Sequence, residues 1–155
     1  MADYVAGFLF SNDLQHVVLI RKKRPAWMAG FCNAVGGHIE RDEIPVVAMT
    51  REFMEEAGLF ISKWSEYTTL HTRGGIIHWY WATAGVATLH ASKTQTDEEI
   101  QVYLVEHVLM GKVAAMTNLN WLIGMAINSA RGIDTCAVFT VVERIYRDEL
   151  PKEAT

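Results

Sequence analysis

Runs of apolar residues along the chain predict strands separated by two longer helices. The apolar segments 4–10 and 16–20 flank the turn-forming residues 11–13, so they predict a β-hairpin at the start of the chain. Further strands are predicted over residues 31–35, 59–72, 76–86 and 100–105, and a second helix over 119–129. The β-branched segment 136–145 is compatible with a last strand or a helix.

The first helix is predicted over residues 45–57, with Pro45 in its first turn and Gly58 as a left-handed stop. Its helical period gathers one group of mainly apolar side chains on a single face: Val46, Met49, Thr50, Phe53 and Ala57. The same period places three glutamates on another face: Glu52, Glu55 and Glu56. One face of the helix is therefore expected to pack on a sheet while the other carries charge.

Mixed strands and helices without a Pro/Gly/Ser linker indicate one α/β domain over residues 1–155, with a short charged tail at 148–155. The sheet is expected to be covered on both faces. The 155 residues carry a formal net charge of -4, which disfavours a nucleic acid polymer or an anionic membrane as a partner.

Two cysteines are too few for a disulfide framework, and no apolar run approaches the roughly 18 residues of a membrane span. The first residues lack the basic and apolar regions of a secretory signal. These features together predict a cytoplasmic protein with reduced cysteines.

The three glutamates are the first sign of chemistry. Like charges on one face cost stability in an isolated helix, and no lysine four residues on offsets Glu52 or Glu55. Clustered carboxylates without counter-charges suit a divalent cation such as Mg²⁺. Glu43 and Arg51 stand eight residues apart and could tie the preceding loop to the helix by a charge-assisted hydrogen bond. A solvated acidic helix is the alternative interpretation of such a cluster.

The stretch 37–59 carries a more specific pattern, G-H-I-E-R-D-E-I-P-V-V-A-M-T-R-E-F-M-E-E-A-G-L. It resembles the signature of the Nudix hydrolases, G-x5-E-x7-R-E-U-x-E-E-x-G-U, where U is a bulky apolar residue, and every specified position matches. One softer feature departs, since family members often have Gly before the first motif glutamate and here it is Asp42. The resemblance implies an α/β/α sandwich around a mixed β-sheet.

The resemblance also implies metal-dependent hydrolysis of a nucleoside diphosphate linked to another group, with Mg²⁺ as cofactor and Mn²⁺ as a substitute. By this resemblance Glu52, Glu55 and Glu56 match the carboxylates that bind metal, and the Gly36 carbonyl matches an additional ligand. Arg51 matches the arginine that orients the motif glutamates.

A further glutamate from a loop distant in sequence often completes such sites. Glu98 and Glu99 are the candidates here, and Glu98 is preferred. Each of them could instead belong to an ordinary acidic turn.

The segment around residues 21–37 is similar to MutT-like nucleoside triphosphatases, in which an asparagine reaches the base, an aromatic flanks it and a lysine lies near the pocket. Asn33, Trp27 and Lys23 stand at those positions. Oxidised-purine hydrolases of that type carry an acidic pair in a late helix, where this chain has Asn118 and Asn120. Asn118 is therefore a candidate for binding a base edge, and also for capping the helix.

The leading hypothesis is a nucleoside triphosphate pyrophosphohydrolase that releases the monophosphate and pyrophosphate and acts on modified or oxidised purine nucleotides. The alternatives are an ADP-ribose or dinucleotide pyrophosphatase, and a non-catalytic nucleotide sensor. The partner is a small nucleotide, and a homodimer is one option for the assembly.

Overall fold

The computed structural model describes residues 2–133 and the strand Thr140–Val142. Within that part of the chain an eight-stranded mixed sheet forms the centre of the molecule. Its strands in chain order are β1 (Tyr4–Ser11), β2 (His16–Arg21), β3 (Cys32–Asn33), β4 (Val35–His38), β5 (Ser65–Thr72), β6 (Gly75–Ala84), β7 (Glu99–Leu104) and β8 (Thr140–Val142). The helices are α1 (Pro45–Ala57), α2 (Val86–His90), α3 (Val105–Leu109) and α4 (Leu119–Ala130), with a short 3-10 helix at Ala26–Met28.

The central strand β1 has two partners along one of its edges. It pairs with β2 near its end, at Phe10 and Val17, and with β4 near its start, at Tyr4 and His38. The other edge of β1 runs parallel to β6. The full order is β3-β2-β1-β6-β5-β8, with β7 on the far side of β2. The sheet therefore forks beside β1, where β4 diverges from β2 and β3.

Both faces of the sheet are covered, which explains why β1 is apolar along most of its length rather than alternating. On one face α1 and α2 pack through Met49, Phe53 and Leu89. On the other face α3 and α4 pack through Val108 and Leu122. The predicted α/β/α sandwich around a mixed sheet is confirmed.

Several predicted elements are confirmed closely. The β1–β2 hairpin forms, α1 has the predicted bounds, and Gly58 adopts a left-handed φ of 68° while its N–H bonds Met54 O. The apolar face of α1 is buried at Met49, Phe53 and Ala57 as expected. Every helix among the described residues is too short or too polar to cross a bilayer.

Other predicted elements were wrong in extent. The segment 31–35 divides into β3 and β4, which pair with different strands. Residues 59–64 form no strand, although Leu59 and Ile61 pack into the core. Side chains rather than a neighbouring strand bind the backbone here, since Thr50 Oγ1 and Trp64 Nε1 both donate to Ile61 O. The segments 76–86 and 100–105 end early, since Val86 and Val105 begin α2 and α3, which sequence analysis missed. Of the predicted segment 136–145, only Thr140–Val142 is described, as a strand, and the rest lies outside the described residues.

Candidate active site

The loop between β4 and α1 is fitted to the glutamates by its glycines. A Cβ on Gly37 would lie 2.4 Å from Glu52 Oε2, so the missing side chain leaves the space that the carboxylate occupies. A Cβ on Gly36 would lie 2.0 Å from the backbone oxygen of Val5, across the β1–β4 pairing. Asp42, which replaces the more usual glycine, adopts a φ of 64°. The loop therefore keeps its left-handed turn with an aspartate, a residue that tolerates this conformation.

Arg51 organises this loop and helix. Its guanidinium binds Glu43 with two hydrogen bonds, Nε to Oε1 at 2.9 Å and Nη2 to Oε2 at 2.8 Å. Nη2 also donates to the backbone oxygen of His38 at 2.9 Å. The hydrogen bonds from Arg51 lower the pKa of Glu43, and the reciprocal bond raises the pKa of Arg51. The predicted tie between Glu43 and Arg51 is present and fixes the loop against the helix.

The same guanidinium holds two of the three helix glutamates. Arg51 Nη1 donates to Glu52 Oε1 at 2.8 Å and to Glu55 Oε2 at 3.2 Å. The side chain of Glu52 is 13% exposed, whereas that of Glu55 is 57% exposed. Glu52 thus lines the cleft described below, whereas Glu55 is exposed and is not among the residues that line it.

Glu56 is in a different environment from its two neighbours. Its Oε2 accepts a hydrogen bond from Gly36 N–H at 3.3 Å, and no side chain of residues 2–133 donates to it. Burial raises the pKa of Glu56 to about 7, while the nearby Lys22 charge and the Gly36 N–H oppose that shift. A buried carboxylate with so little compensation is a good position for a cation.

Glu98 enters the site from the loop before β7. It is 5% exposed, and it accepts hydrogen bonds from Lys22 Nζ, from Lys23 N at 2.7 Å and from Arg24 N at 3.3 Å. Burial acts to raise the pKa of Glu98, but the hydrogen bonds from Lys22 and the loop backbone outweigh it, so the pKa lies below its usual value. Glu99 points elsewhere and pairs with Arg21 at 3.9 Å. The structure thus separates the two candidate glutamates.

A cleft of about 940 Å³ joins these groups. Glu52 and Glu56 line one part of it with Gly36 and Gly37, and Glu98 lines another with Lys22. Beyond them the cleft runs along the start of β1 and β6, at Tyr4, Ala6, Ile77 and Trp79, and reaches the β5–β6 turn at Arg73. Its size is that of a pocket for a small organic molecule.

Two of the four predicted substrate contacts line the cleft. Asn33 does so from β3, and its Oδ1 accepts a hydrogen bond from Ala34 N at 2.8 Å. Trp27 lines it from the loop after β2, 56% exposed. Lys23 is exposed and reaches Glu98 only through its backbone, so the lysine side chain in the cleft is that of Lys22. Asn118 precedes α4 as its N-cap without a side-chain capping bond and does not line the cleft.

Sequence reasoning missed Lys22, His38, Arg73 and Trp79, which also line the cleft. The sequence contained a signal for Lys22, because it belongs to the basic run at residues 21–24. Alternate residues of an extended chain face the same side, and Lys22 and Arg24 both line the cleft. Arg73 and Trp79 belong to no sequence motif, and it is the pairing of β1 with β6 that brings them to the site.

A divalent cation fits the donor chemistry of this wall: carboxylates of Glu52, Glu56 and Glu98, with the Gly36 backbone beside them. Residues 2–133 hold no three acidic, histidine or cysteine side chains already arranged around a metal position. The reason is visible in the contacts, since Arg51 bonds Glu52 and Glu55 while Lys22 bonds Glu98. Carboxylates suited to a divalent cation are thus present, and an ion bound among them would take over part of the bonds that Arg51 and Lys22 now make.

Known proteins of the same fold share this architecture. The NUDIX domain of Shewanella oneidensis NrtR in complex with ADP ribose matches with a TM-score of 0.68 at 19% identity, covering 82% of this chain and 86% of that one. A NUDIX-family hydrolase from Clostridium perfringens matches with a TM-score of 0.65 at 22% identity, covering 86% and 98%. A MutT from work on Aliivibrio salmonicida and Vibrio cholerae matches with a TM-score of 0.63 at 16% identity, covering 81% and 96%. These likenesses establish the fold.

No curated protein matches the chain by sequence. The model of the NUDIX domain family matches residues 2–117, three quarters of the chain. Members of this family generally use divalent metals. The match spans the whole loop and helix that carry Glu43, Arg51 and the glutamates. The chain therefore belongs to the NUDIX domain family and is a Nudix hydrolase.

Proposed function

We propose that the chain hydrolyses the pyrophosphate linkage of a nucleoside triphosphate, giving the monophosphate and pyrophosphate, with Mg²⁺ as its cofactor and Mn²⁺ as a substitute. The observation that carries this proposal is a single cleft that holds Glu52, Glu56 and Glu98 together with Asn33 and Trp27. The carboxylates that suit a metal and the polar and aromatic side chains that suit a base thus line the same cleft, whose volume is that of a small-molecule pocket.

The residues divide into separate tasks. Glu52 and Glu56 of α1 and the Gly36 carbonyl of β4 would hold the ion from one side and Glu98 from the opposite loop, while the exposed Glu55 would join them from outside the cleft. When bound, the ion supplies Lewis acidity and lowers the pKa of a coordinated water. Arg51 keeps Glu52 and Glu55 oriented through its Nη1.

The substrate is held by groups on the loop after β2. Lys22 and Arg24 bring positive charge to the cleft, which compensates phosphate charge next to the acidic wall. The exposed face of Trp27 offers a stacking surface for a base, and the Asn33 amide has N–H donors left to reach a base edge.

An ADP-ribose or dinucleotide pyrophosphatase is the second candidate. It is favoured by the fold likeness to a NUDIX domain bound to ADP ribose and by the extension of the cleft toward Arg73. In this alternative the second half of the substrate would occupy the part of the cleft between Tyr4 and Arg73.

Product analysis separates the two candidates. The purified chain is incubated with Mg²⁺ and a panel of canonical and oxidised nucleoside triphosphates, ADP-ribose and dinucleotides. Pyrophosphate released with a nucleoside monophosphate, at a kcat/KM in the range about 10⁴–10⁸ M⁻¹s⁻¹ typical of good substrates, supports the proposal. Preferred turnover of ADP-ribose or a dinucleotide contradicts it and selects the second candidate. Tight binding of nucleotides without turnover would identify a sensor instead.

A further inference from the structure

We infer that Lys22 is a built-in stand-in for the metal ion: its ammonium group binds Glu98 Oε2 when no ion is bound, releases that oxygen to the ion, and then binds the phosphates of the substrate. This inference rests on the proposed function, because it concerns the metal and the phosphates of that reaction. It goes beyond that function by assigning the exchange to one residue and one carboxylate oxygen.

The Lys22 ammonium group interacts with carboxylates from two separate parts of the fold. Its Nζ donates to Glu98 Oε2, and the two side chains are only 18% and 6% exposed. Its charge also acts on Glu56 of α1: burial raises the pKa of Glu56, and the Lys22 charge opposes that rise. All three residues line the same cleft. Lys22 therefore compensates carboxylates that the proposed function assigns to the ion.

The two oxygens of Glu98 have different partners. Oε1 accepts hydrogen bonds from the backbone N–H groups of Lys23 at 2.7 Å and Arg24 at 3.3 Å. Oε2 accepts from the Lys22 side chain. The backbone therefore keeps the carboxylate in place whichever cation binds Oε2. Lys22 can release this oxygen without displacing Glu98.

A comparison with Arg51 shows why Lys22 is the partner that exchanges. Arg51 donates three hydrogen bonds to Glu43 and the backbone of His38, in addition to those it donates to the glutamates of α1. It therefore stays anchored when the glutamates change partners. Lys22 Nζ makes one hydrogen bond within residues 2–133, the one to Glu98. An ammonium group has three N–H donors on a flexible stem, so Lys22 is free to turn to another acceptor.

The phosphates of the substrate are the acceptors that such a lysine would meet. Lys22 and Arg24 both line the cleft, and a triphosphate bound there brings several charged oxygens. A compact ammonium group binds phosphate oxygens as a point charge, without the fixed geometry that a guanidinium requires. Lys22 would thus exchange a carboxylate oxygen for a phosphate oxygen and keep a charged partner throughout.

Lys22→Met tests this exchange, because methionine keeps an unbranched side chain and removes the ammonium group. The substrate-free variant should bind Mg²⁺ at least about tenfold more tightly than wild type, the usual effect of one charge-assisted hydrogen bond that no longer has to be broken. The KM for the preferred triphosphate should rise by about tenfold at saturating Mg²⁺, because a phosphate contact is lost. Isothermal titration calorimetry gives the first value and steady-state kinetics the second. A purely structural role would not strengthen the binding of one ligand while weakening that of the other.

Lys23→Met is the matched control. It removes the same charge from the next residue, whose side chain is exposed and which reaches Glu98 only through its backbone N–H. The dissociation constant of Mg²⁺ should therefore change much less than in Lys22→Met. Equal tightening in the two variants would show a general effect of net charge and would overturn the inference.

Amine labelling tests the same exchange in wild type. The protein is treated briefly with acetic anhydride, and fragment-ion mass spectrometry measures the acetylation of Lys22 and Lys23 separately. Mg²⁺ alone should increase the acetylation of Lys22, because its amine is released from Glu98. Inorganic pyrophosphate added with Mg²⁺ should reduce it again, because pyrophosphate supplies the phosphate oxygens without a base. Lys23 is the internal reference and should be acetylated equally in all three conditions.

Each result decides part of the inference. Unchanged or weaker Mg²⁺ binding in Lys22→Met overturns the exchange with the ion, and an unchanged KM overturns the transfer to phosphate. If Lys22→Met does not fold, the labelling of wild type decides, and acetylation of Lys22 that does not respond to Mg²⁺ overturns the inference. If no triphosphate is hydrolysed, the proposed function fails. The Mg²⁺ titration and the labelling with Mg²⁺ alone then still decide whether Lys22 exchanges with the ion.

Discussion

At the scale of single residues, the three glutamates of α1 are adjacent in sequence but differ in environment. Glu52 and Glu55 share the Arg51 Nη1 donor, whereas Glu56 is buried against the Gly36 N–H. The three environments differ because the Arg51 guanidinium donates hydrogen bonds to Glu52 and Glu55, whereas Glu56 accepts its bond from Gly36 N–H. Of the three, Glu56 is the carboxylate whose pKa is raised by burial, so its ionised form costs the metal-free fold stability.

Glu56→Gln tests that residue in two ways. Turnover at saturating Mg²⁺ should fall by at least about 10²–10³, the usual effect of removing one preorganised electrostatic group. Without metal the variant should be more stable than wild type above neutral pH. The reason is that the pKa of Glu56 is about 7 in the fold against a reference value of 4.5, so ionisation favours the unfolded chain.

The two pKa values of Glu56 determine how its destabilisation of the metal-free protein changes with pH. The penalty is absent below about pH 4.5, grows through the interval between the two values, and is complete above about pH 7, where it is about 3 kcal/mol. Thermal unfolding in EDTA at about pH 5 and about pH 8 measures it, with the Gln variant gaining on wild type at the higher pH. Near-normal turnover would remove Glu56 from the metal site, and a large loss of metal-free stability would make its role structural.

Arg51→Lys tests the orienting guanidinium. A lysine cannot reproduce the paired bonds to Glu43 and also reach Glu52, so the carboxylates should be misplaced and turnover should fall by about 10–100-fold. Arg41→Lys is the matched control, because the Arg41 side chain is 96% exposed and pairs with the equally exposed Asp42 at 3.7 Å. Steady-state kinetics of both variants provide the measurement. Equal activity of the two would show that orientation by Arg51 is dispensable.

At the scale of elements, α1 serves packing and chemistry with opposite faces. Met49, Phe53 and Ala57 are buried against the sheet, while Glu52 and Glu56 line the cleft. The loop before it is held by Arg51 and Glu43, and β4 supplies glycines where a side chain would strike Glu52 or Val5. The position of the carboxylates therefore depends on the packing of the helix behind them.

Phe53→Ala should destabilise the protein by about 3–5 kcal/mol, the range for truncation of a buried phenylalanine. Phe53 is fully buried, and its ring lies 5.2 Å from that of Trp64. Met54→Ala is the control on the next residue, which is 48% exposed, and it should change stability by less than about 1 kcal/mol. Urea unfolding of both variants gives the comparison. Equal midpoints for Phe53→Ala and wild type would contradict the packing of α1 on the sheet.

At the scale of the whole molecule, the fork in the sheet builds the cleft. Because β4 and β2 share one edge of β1, the loops that follow β2 and precede β7 can face the glycines of β4 and the glutamates of α1. Glu98 is 42 residues from Glu56 in sequence, yet the two carboxylates interact electrostatically. A metal held from both sides would connect these separate parts of the fold.

Metal removal tests this arrangement. EDTA should abolish turnover, and Mg²⁺ should restore it. Mg²⁺ should also raise the unfolding free energy by about 2.7 kcal/mol at a concentration one hundred times its dissociation constant, because the ion relieves repulsion among carboxylates from α1 and the β7 loop. The control is Glu99→Gln, which removes a carboxylate directed toward Arg21 and should leave the Mg²⁺ effect intact. Full turnover in metal-free protein would refute the metal requirement.

The sequence by itself determined what depends on local periods and turns. The bounds of α1, the left-handed Gly58 and the separation of its apolar and acidic faces all follow from the helical repeat and from the motif spacing. The tie between Glu43 and Arg51 was also predictable, because eight residues of loop and helix connect them. Nothing distant in the chain is needed to place these groups relative to one another.

The tertiary structure decided everything that depends on pairing between distant strands. Glu98 rather than Glu99 lines the cleft, and Lys22 rather than Lys23 places its side chain there. In extended chain a shift of one residue reverses the side a side chain faces, and the pairing of β2 with β7 sets that choice. Leu59, Ile61 and Trp64 pack against the core from a coil, and periodicity cannot distinguish such a segment from a strand. Trp79 reaches the cleft only because β6 lies beside β1, a contact that sequence spacing does not encode.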